Sequence, residues 1–213
     1  MGCIISPWSD ICQKKRSIIS TGLISKLSYN VIETVFSSIY HLKWNQGRKV
    51  SINLSSIQLV ESDFLTILKT LLNRYSINTH DIVFEITETA LLYDLKKVEE
   101  TIRTIKTLGF EISLDDFGTG YSSLNRFAQL NFDEVKFDRF FINDLQNDEK
   151  LMLVFSKTVE LFNLFKMRIV VEGVENVAQE SILDAFEIDI YQGFYYSKPM
   201  SLEHLLAENL VQI

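Results

Sequence analysis

Six apolar runs in this chain each stop at a group able to do chemistry. Glu111-Ile-Ser-Leu-Asp115-Asp116 ends in two adjacent carboxylates and then turns through Gly118 and Gly120. Lys49-Val-Ser-Ile-Asn53, Ile82-Val-Phe-Glu85, Glu134-Val-Lys136, Arg168-Ile-Val-Val-Glu172 and Asp189-Ile-Tyr-Gln192 each place one polar group at the corresponding point. Asn53, Glu85, Asp115, Asp116 and Glu172 offer only oxygen, which suits hard cations such as Mg²⁺ or Mn²⁺ and disfavours a zinc centre of thiolate and imidazole. Adjacent ionised carboxylates repel, and a bound cation relieves the repulsion. A carboxylate shared between two such ions would let the pair clamp a phosphodiester and activate a water for in-line attack. Lys136 would then orient that water or balance charge on the phosphate oxygens. Each residue alone has a plainer reading: Asn53 or Glu85 as a helix cap, Lys136 as a surface charge, Glu88 and Glu175 as first-turn helix acids. The series, rather than any member, points to a site. His41, His80 and His204 lie outside these strand ends and read as surface or helix residues.

Groups this far apart in sequence share a pocket only if the chain brings strand ends together. Parallel α/β folds do so, building their sites at the carboxyl ends of strands. Between the runs, Glu61–Tyr75, Thr89–Thr107, Asp148–Phe165, Val177–Phe186 and Ser201–Leu210 carry apolar residues at three- and four-residue spacing, which predicts helices. Strand and helix in alternation imply a parallel sheet with crossover helices. Successive strand-end groups from Asn53 to Gln192 fall 20 to 36 residues apart, the length of single βα units. Six such units in series predict a barrel more than an open sheet. Gly118, Gly120, Gly173 and Gly193 follow the candidate site residues, where glycine allows positive φ or close backbone approach to a ligand.

With 213 residues, 46% hydrophobic and 23% charged, the chain suits one globular domain with a single sizeable core. Two prolines and no low-complexity stretch leave no linker. The net charge of -7 argues against binding to nucleic acid polymers or anionic membranes. A small anionic ligand stays open where metal ions neutralise the local field. Cys3 and Cys12 have no partner framework and suit a reducing cytoplasm. No apolar run reaches the length of a membrane span, and no signal-peptide pattern opens the chain. Met1-Gly2-Cys3-Ile4-Ile5-Ser6 matches an N-myristoylation pattern, one short enough to arise by chance.

Taken together, Glu85-Ile-Thr-Glu88-Thr, Leu114-Asp-Asp-Phe-Gly-Thr-Gly-Tyr-Ser-Ser-Leu124, Val135-Lys-Phe-Asp-Arg139, Glu172-Gly-Val-Glu175 and Gln192-Gly-Phe-Tyr-Tyr-Ser-Lys-Pro199 closely resemble the successive motifs of the EAL-domain family. The resemblance runs from about Ser6 to Pro199, in order and with family-like spacing. It implies hydrolysis of the bacterial second messenger cyclic di-GMP to pGpG, on a (β/α)₈ barrel variant that uses two Mg²⁺ or Mn²⁺ ions. It also implies that Asn53, Glu85, Asp115, Asp116 and Glu172 coordinate metal and that Lys136 acts on the attacking water. Glu88 matches the glutamate that holds the loop from Phe117 to Ser123, which in the family contributes to dimerisation and to coupling of a partner domain. Asp138, Glu175 and Gln192 match further positions expected to support the site or touch substrate. A homodimer is expected on the same ground.

The resemblance is incomplete at the N-terminus. The family begins with two strands, the second bearing the Glu-Ala-Leu signature, whose glutamate is a metal ligand followed by a substrate-binding arginine. Ile4-Ile5-Ser6-Pro7 resembles the stretch downstream of that signature. The expectation is therefore a TIM-barrel-like (β/α)₈ variant lacking its first two strands. Residues 1–213 would form a single EAL-type domain, incomplete at the N-terminus, with activity impaired for want of one ligand. A start recorded too late, a truncated gene and a working short form are the three explanations. The alternative from another class is a catalytically inactive module that binds cyclic di-GMP or a regulatory protein at the barrel mouth.

Overall fold

The computed structural model describes residues 23–42, 49–92, 94–118 and 129–207. Cys3, Cys12, the N-terminal glycine-cysteine pattern, Gly120, most of the loop after the aspartate pair and the end of the expected 201–210 helix lie outside the described residues.

Six strands form one parallel sheet in sequential order: β1 (Val50–Leu54), β2 (Ile82–Thr87), β3 (Glu111–Phe117), β4 (Glu134–Phe137), β5 (Arg168–Val171) and β6 (Ile190–Tyr191). They are the six expected from the apolar runs. The helices are α1 (Leu23–His41), α2 (Ser56–Val60), α3 (Phe64–Arg74), α4 (Leu95–Thr107), α5 (Arg139–Asp144), α6 (Glu149–Leu164), α7 (Val177–Leu183) and α8 (Leu202–Ala207). Of these, α1, α2 and α5 were not foreseen. The single helix expected over Thr89–Thr107 is two pieces, a 3₁₀ stretch at Glu88–Leu92 and then α4. The Asp94 carboxylate makes the break, accepting from the Lys97 N–H as the cap of a new helix. Val98, Thr101, Ile102 and Ile105 then bury one face of α4 at helical spacing.

Alternation along the strands sorts the sheet into two unlike faces. Ile52, Leu54, Ile82, Phe84, Ile86, Ile112, Leu114, Val135, Phe137, Ile169 and Val171 point outward into the helix layer and are almost fully buried. Phe137 packs there on Phe155 and Phe162 of α6, with ring centroids 4.9 and 5.9 Å away. On the other face, register aligns Ser51 with Val83, Asn53 with Glu85, Glu85 with Ser113 and Glu134 with Arg168. That inner face is largely polar, whereas branched apolar side chains dominate the interior of most barrels of this kind.

One irregularity sits at the aspartate pair. On the β4 side of β3, Leu114 pairs with Val135 and Phe117 with Phe137, so three steps on β3 oppose two on β4. The extra residue is a bulge, and Asp116 takes a left-handed φ of 55° within it. Without the bulge, alternation would turn Phe117 to the polar face. With it, Phe117 joins the outer aromatic layer against Phe137 and Phe162, at 5.4 and 5.0 Å.

Candidate active site at the carboxyl ends of the strands

Four of the expected residues meet at one point. Glu85 comes from β2, Asp115 from β3, Lys136 from β4, and Glu172 directly follows β5. The Lys136 Nζ lies 3.0 Å from Glu85 Oε1, 3.3 Å from Asp115 Oδ1 and 2.5 Å from Glu172 Oε1. Register explains the convergence: Glu85 and Ser113, and Ser113 and Glu134, face each other across neighbouring strands, so Asp115 and Lys136 stand one inward position further up. The Glu172 N–H donates to the Phe137 carbonyl at 3.0 Å, extending the β4–β5 ladder far enough to aim its carboxylate.

Glu85 and Lys136 are each 5% exposed. Burial raises the pKa of Glu85 and Glu172, because desolvation and the neighbouring Asp115 outweigh the pull of Lys136. Burial works the other way on Lys136, yet its pKa is raised overall by Glu85, Asp115 and Glu172. The two directions coexist because three carboxylates share one ammonium. The ammonium gains three counter-charges, and each carboxylate gains a fraction of one. Ser51 adds a hydrogen bond to the Glu85 carboxylate.

The remaining candidates are placed around this group. Asn53 is exposed at the rim, in register with Glu85 one strand away. Asp116 is partly buried in the bulge. Glu88, 3% exposed, accepts from the Gly118 N–H at 3.3 Å and so grips the first residue of the loop after the aspartate pair. Gly118 has φ +102°, and a Cβ there would run into the Phe141 ring. Asp138 caps α5, accepting from the Phe140 N–H at 2.8 Å. Gln192 follows β6, and its backbone bridges to Val171 and Val174 across the mouth. Glu175 is exposed and stands apart from the ion cluster. Its N–H donates to Gln179 Oε1 at 2.7 Å. Gly173 takes a positive φ, and Gly193 allows close backbone approach, since a Cβ there would meet the Val174 backbone. Sequence reasoning missed Ser51, Ser113 and Gln58. Their signal was present in the alternation of the strands and in the Ser55-Ser-Ile-Gln58 capping-box spacing.

The donor set suits divalent cations. Three buried or half-buried carboxylates face one ammonium, Asp116 follows Asp115 directly in the chain, and the donors are all oxygen. Asp115 Oδ1 is buried and makes no hydrogen bond; its approach to Lys136 lacks hydrogen-bond geometry. Such an orphaned acceptor costs free energy unless a cation or water takes it. Among the described residues, no three acidic, histidine or cysteine side chains already close on a single point as a metal centre. The Lys136 ammonium stands among the three carboxylates.

A family model described as EAL domain matches residues 14–199. The chain belongs to the EAL domain family. MucR, a bifunctional diguanylate cyclase/cyclic di-GMP phosphodiesterase of Pseudomonas aeruginosa, is 35% identical to this EAL domain over 193 residues, covering 88% of this chain and 28% of MucR. The probable cyclic di-GMP phosphodiesterase PdeB of Escherichia coli is 33% identical over 187 residues, covering 87% of this chain and 35% of PdeB. The chain thus spans about a third or less of the length of these relatives. A solved structure of the PaMucR phosphodiesterase with cyclic di-GMP superposes at TM-score 0.83 with 30% identity, covering 91% of this chain and 79% of that one. An EAL domain protein from Listeria monocytogenes superposes at TM-score 0.83 with 28% identity, covering 95% of this chain and 79% of that one. The architecture is the TIM-barrel-like α/β fold of those EAL domains. No helix among the described residues is long and apolar enough to cross a membrane.

Proposed function

We propose that this EAL domain hydrolyses cyclic di-GMP to pGpG. The observation that carries the reading is Lys136, buried at the carboxyl ends of the strands and within 3.3 Å of Glu85, Asp115 and Glu172. Two Mg²⁺ or Mn²⁺ ions held by Asn53, Glu85, Asp115, Asp116 and Glu172 would supply Lewis-acid neutralisation of the phosphodiester and lower the pKa of the attacking water. The chain's own residues set the geometry. Lys136 keeps three carboxylates from splaying apart, and because they hold it charged it donates hydrogen bonds rather than taking a proton. An N–H of this ammonium would orient a water or stabilise charge gathering on the phosphate oxygens. Glu88 fixes the start of the loop after Asp116, so that a loop movement shifts the aspartate pair. A displacement of about an ångström there would cost roughly a hundredfold in rate.

Asp138 and Gln192 frame the mouth from its β4 and β6 sides, where they would support the site or meet substrate. Glu175 is the least supported of the expected set, and its Ala variant is expected to keep most of the activity. A homodimer in the cytoplasm accompanies this reading, the dimer checked by sedimentation velocity. The central test is turnover of cyclic di-GMP to pGpG by the folded protein in Mg²⁺ and Mn²⁺, with Asp115→Ala as control. Turnover lost in the control supports the reading. Saturable binding of cyclic di-GMP with no pGpG formed would replace the enzyme with a binding module.

A further inference from the structure

Asn53 and the turn behind it differ from the rest of the site. The other groups of the cluster are held by ion pairs, but among the described residues the Asn53 carboxamide has no hydrogen-bond partner. Among the described residues its strand pairs only with β2. The position of Asn53 therefore depends on the backbone that follows it.

That backbone is locked by one side chain. Ser55 caps α2, and Gln58 Oε1 accepts from both the Ser55 N–H and the Ser55 hydroxyl, each at 3.0 Å. The Gln58 N–H lies 3.3 Å from Ser55 Oγ, completing the box. Gln58 is fully buried, and its Nε2 has no partner. A buried donor left unpaired is unfavourable for folding. An apolar side chain of the same length would escape that cost while still filling the space beside Leu59. The amide is explained if the turn, rather than the core, is what it serves.

We propose that Gln58 is a positioning residue for Asn53, fixing the β1–α2 turn so that the Asn53 carboxamide is presented to a divalent cation at the mouth. The proposal rests on the reading of Asn53 as a ligand. Outer residues that orient a ligand change metal affinity or activity by roughly 10–100-fold when removed.

The test compares wild type, Gln58→Met, Asn53→Ala and the double variant, each titrated calorimetrically with Mn²⁺ alone and melted thermally, with kcat and KM for cyclic di-GMP alongside. Gln58→Met is expected to weaken Mn²⁺ binding about tenfold. In the Asn53→Ala background the same change is expected to cost nothing more. An equal loss in both backgrounds, or unchanged Mn²⁺ affinity in Gln58→Met, overturns the proposal. A purely structural role would lower the melting temperature alike in both backgrounds and leave the isotherm alone. Should Gln58→Met fail to fold, Ser55→Ala removes the hydroxyl half of the box and is read in the same way. Folded wild type that binds Mn²⁺ without hydrolysing cyclic di-GMP would sink the enzymatic reading and leave the positioning proposal standing on the isotherms. No Mn²⁺ binding by wild type overturns both.

Discussion

At the amino ends of the strands, Arg168 lies 2.5 Å from Glu111 and 3.0 Å from Glu134, and Lys49 pairs with Glu111. At the carboxyl ends, Glu85, Asp115 and Glu172 share Lys136. Strands β3, β4 and β5 carry members of both clusters on the same face, yet the lower one balances two cations with two carboxylates and the upper one leaves carboxylates in excess. The pKa directions follow the balance. Burial pushes Glu111 up, but hydrogen bonds and charge from Lys49 and Arg168 overcome it and hold the carboxyl below its ordinary value. Glu85 and Glu172 are held above theirs. A cluster neutralised by its own members stabilises the fold and has no need of a ligand. One left with net charge is less favourable for folding and is suited to binding a cation, as expected where active sites trade stability for function.

The largest effect that would break this contrast is at the top. Asp115→Ala should lower cyclic di-GMP turnover by about a thousandfold while leaving the protein folded, measured by pGpG release beside circular dichroism. A folded variant with near wild-type turnover would place the chemistry elsewhere. Removing Lys136 is a different experiment: Lys136→Met strands three carboxylates and should cost about 3–5 kcal/mol of stability in chemical denaturation.

The contrast sharpens in the pH dependence of the metal-free protein. Glu111 has a lowered pKa in the folded state, so its contribution is complete above its ordinary value of 4.5 and is lost as pH falls through the folded pKa. Glu111→Gln should therefore destabilise by about 2 kcal/mol at pH 7, by less on acidification, and change turnover less than about twofold. Glu85 has the opposite sign. Its folded pKa is raised, so its penalty is present at neutral pH and is relieved as pH falls towards 4.5. Glu85→Gln should stabilise the metal-free protein by about 1 kcal/mol at pH 7, with no gain in acid, while abolishing turnover. Matching pH profiles for the two variants would erase the distinction between the ends.

The smallest effect concerns the edge of the site. Gly118→Ala must adopt φ +102° and push on Phe141, which should cost about 1–3 kcal/mol in thermal melting and loosen the Glu88 contact. A melting temperature equal to wild type would mean that the loop after Asp116 does not depend on this turn.

The six strands were legible because each pairs apolar alternation with a polar stop, and the residues Glu85, Asp115, Lys136 and Glu172 were legible as strand ends. Two of the three missed helices show why the reading was partial. α2 and α5 are five and six residues long, too short for periodicity to register, and they are defined by caps at Ser55 and Asp138 instead. The break before α4 is likewise a capping event, decided by Asp94 against a continuous apolar pattern.

The sequence by itself determined which groups stand at the strand ends, because a period of two and a parallel crossover leave little freedom in where such residues go. It also determined the donor chemistry, since oxygen-only groups stay oxygen-only in any fold. Register decided the rest. Only the packed sheet places the Lys136 ammonium among three carboxylates contributed across 88 residues of chain, sets Arg168 against Glu111 and Glu134 at the far end, and inserts the bulge that returns Phe117 to the aromatic layer. These are outcomes of which strand lies beside which and by how many residues it is offset, and offsets are set by the whole helix layer closing over the sheet rather than by any local run of residues.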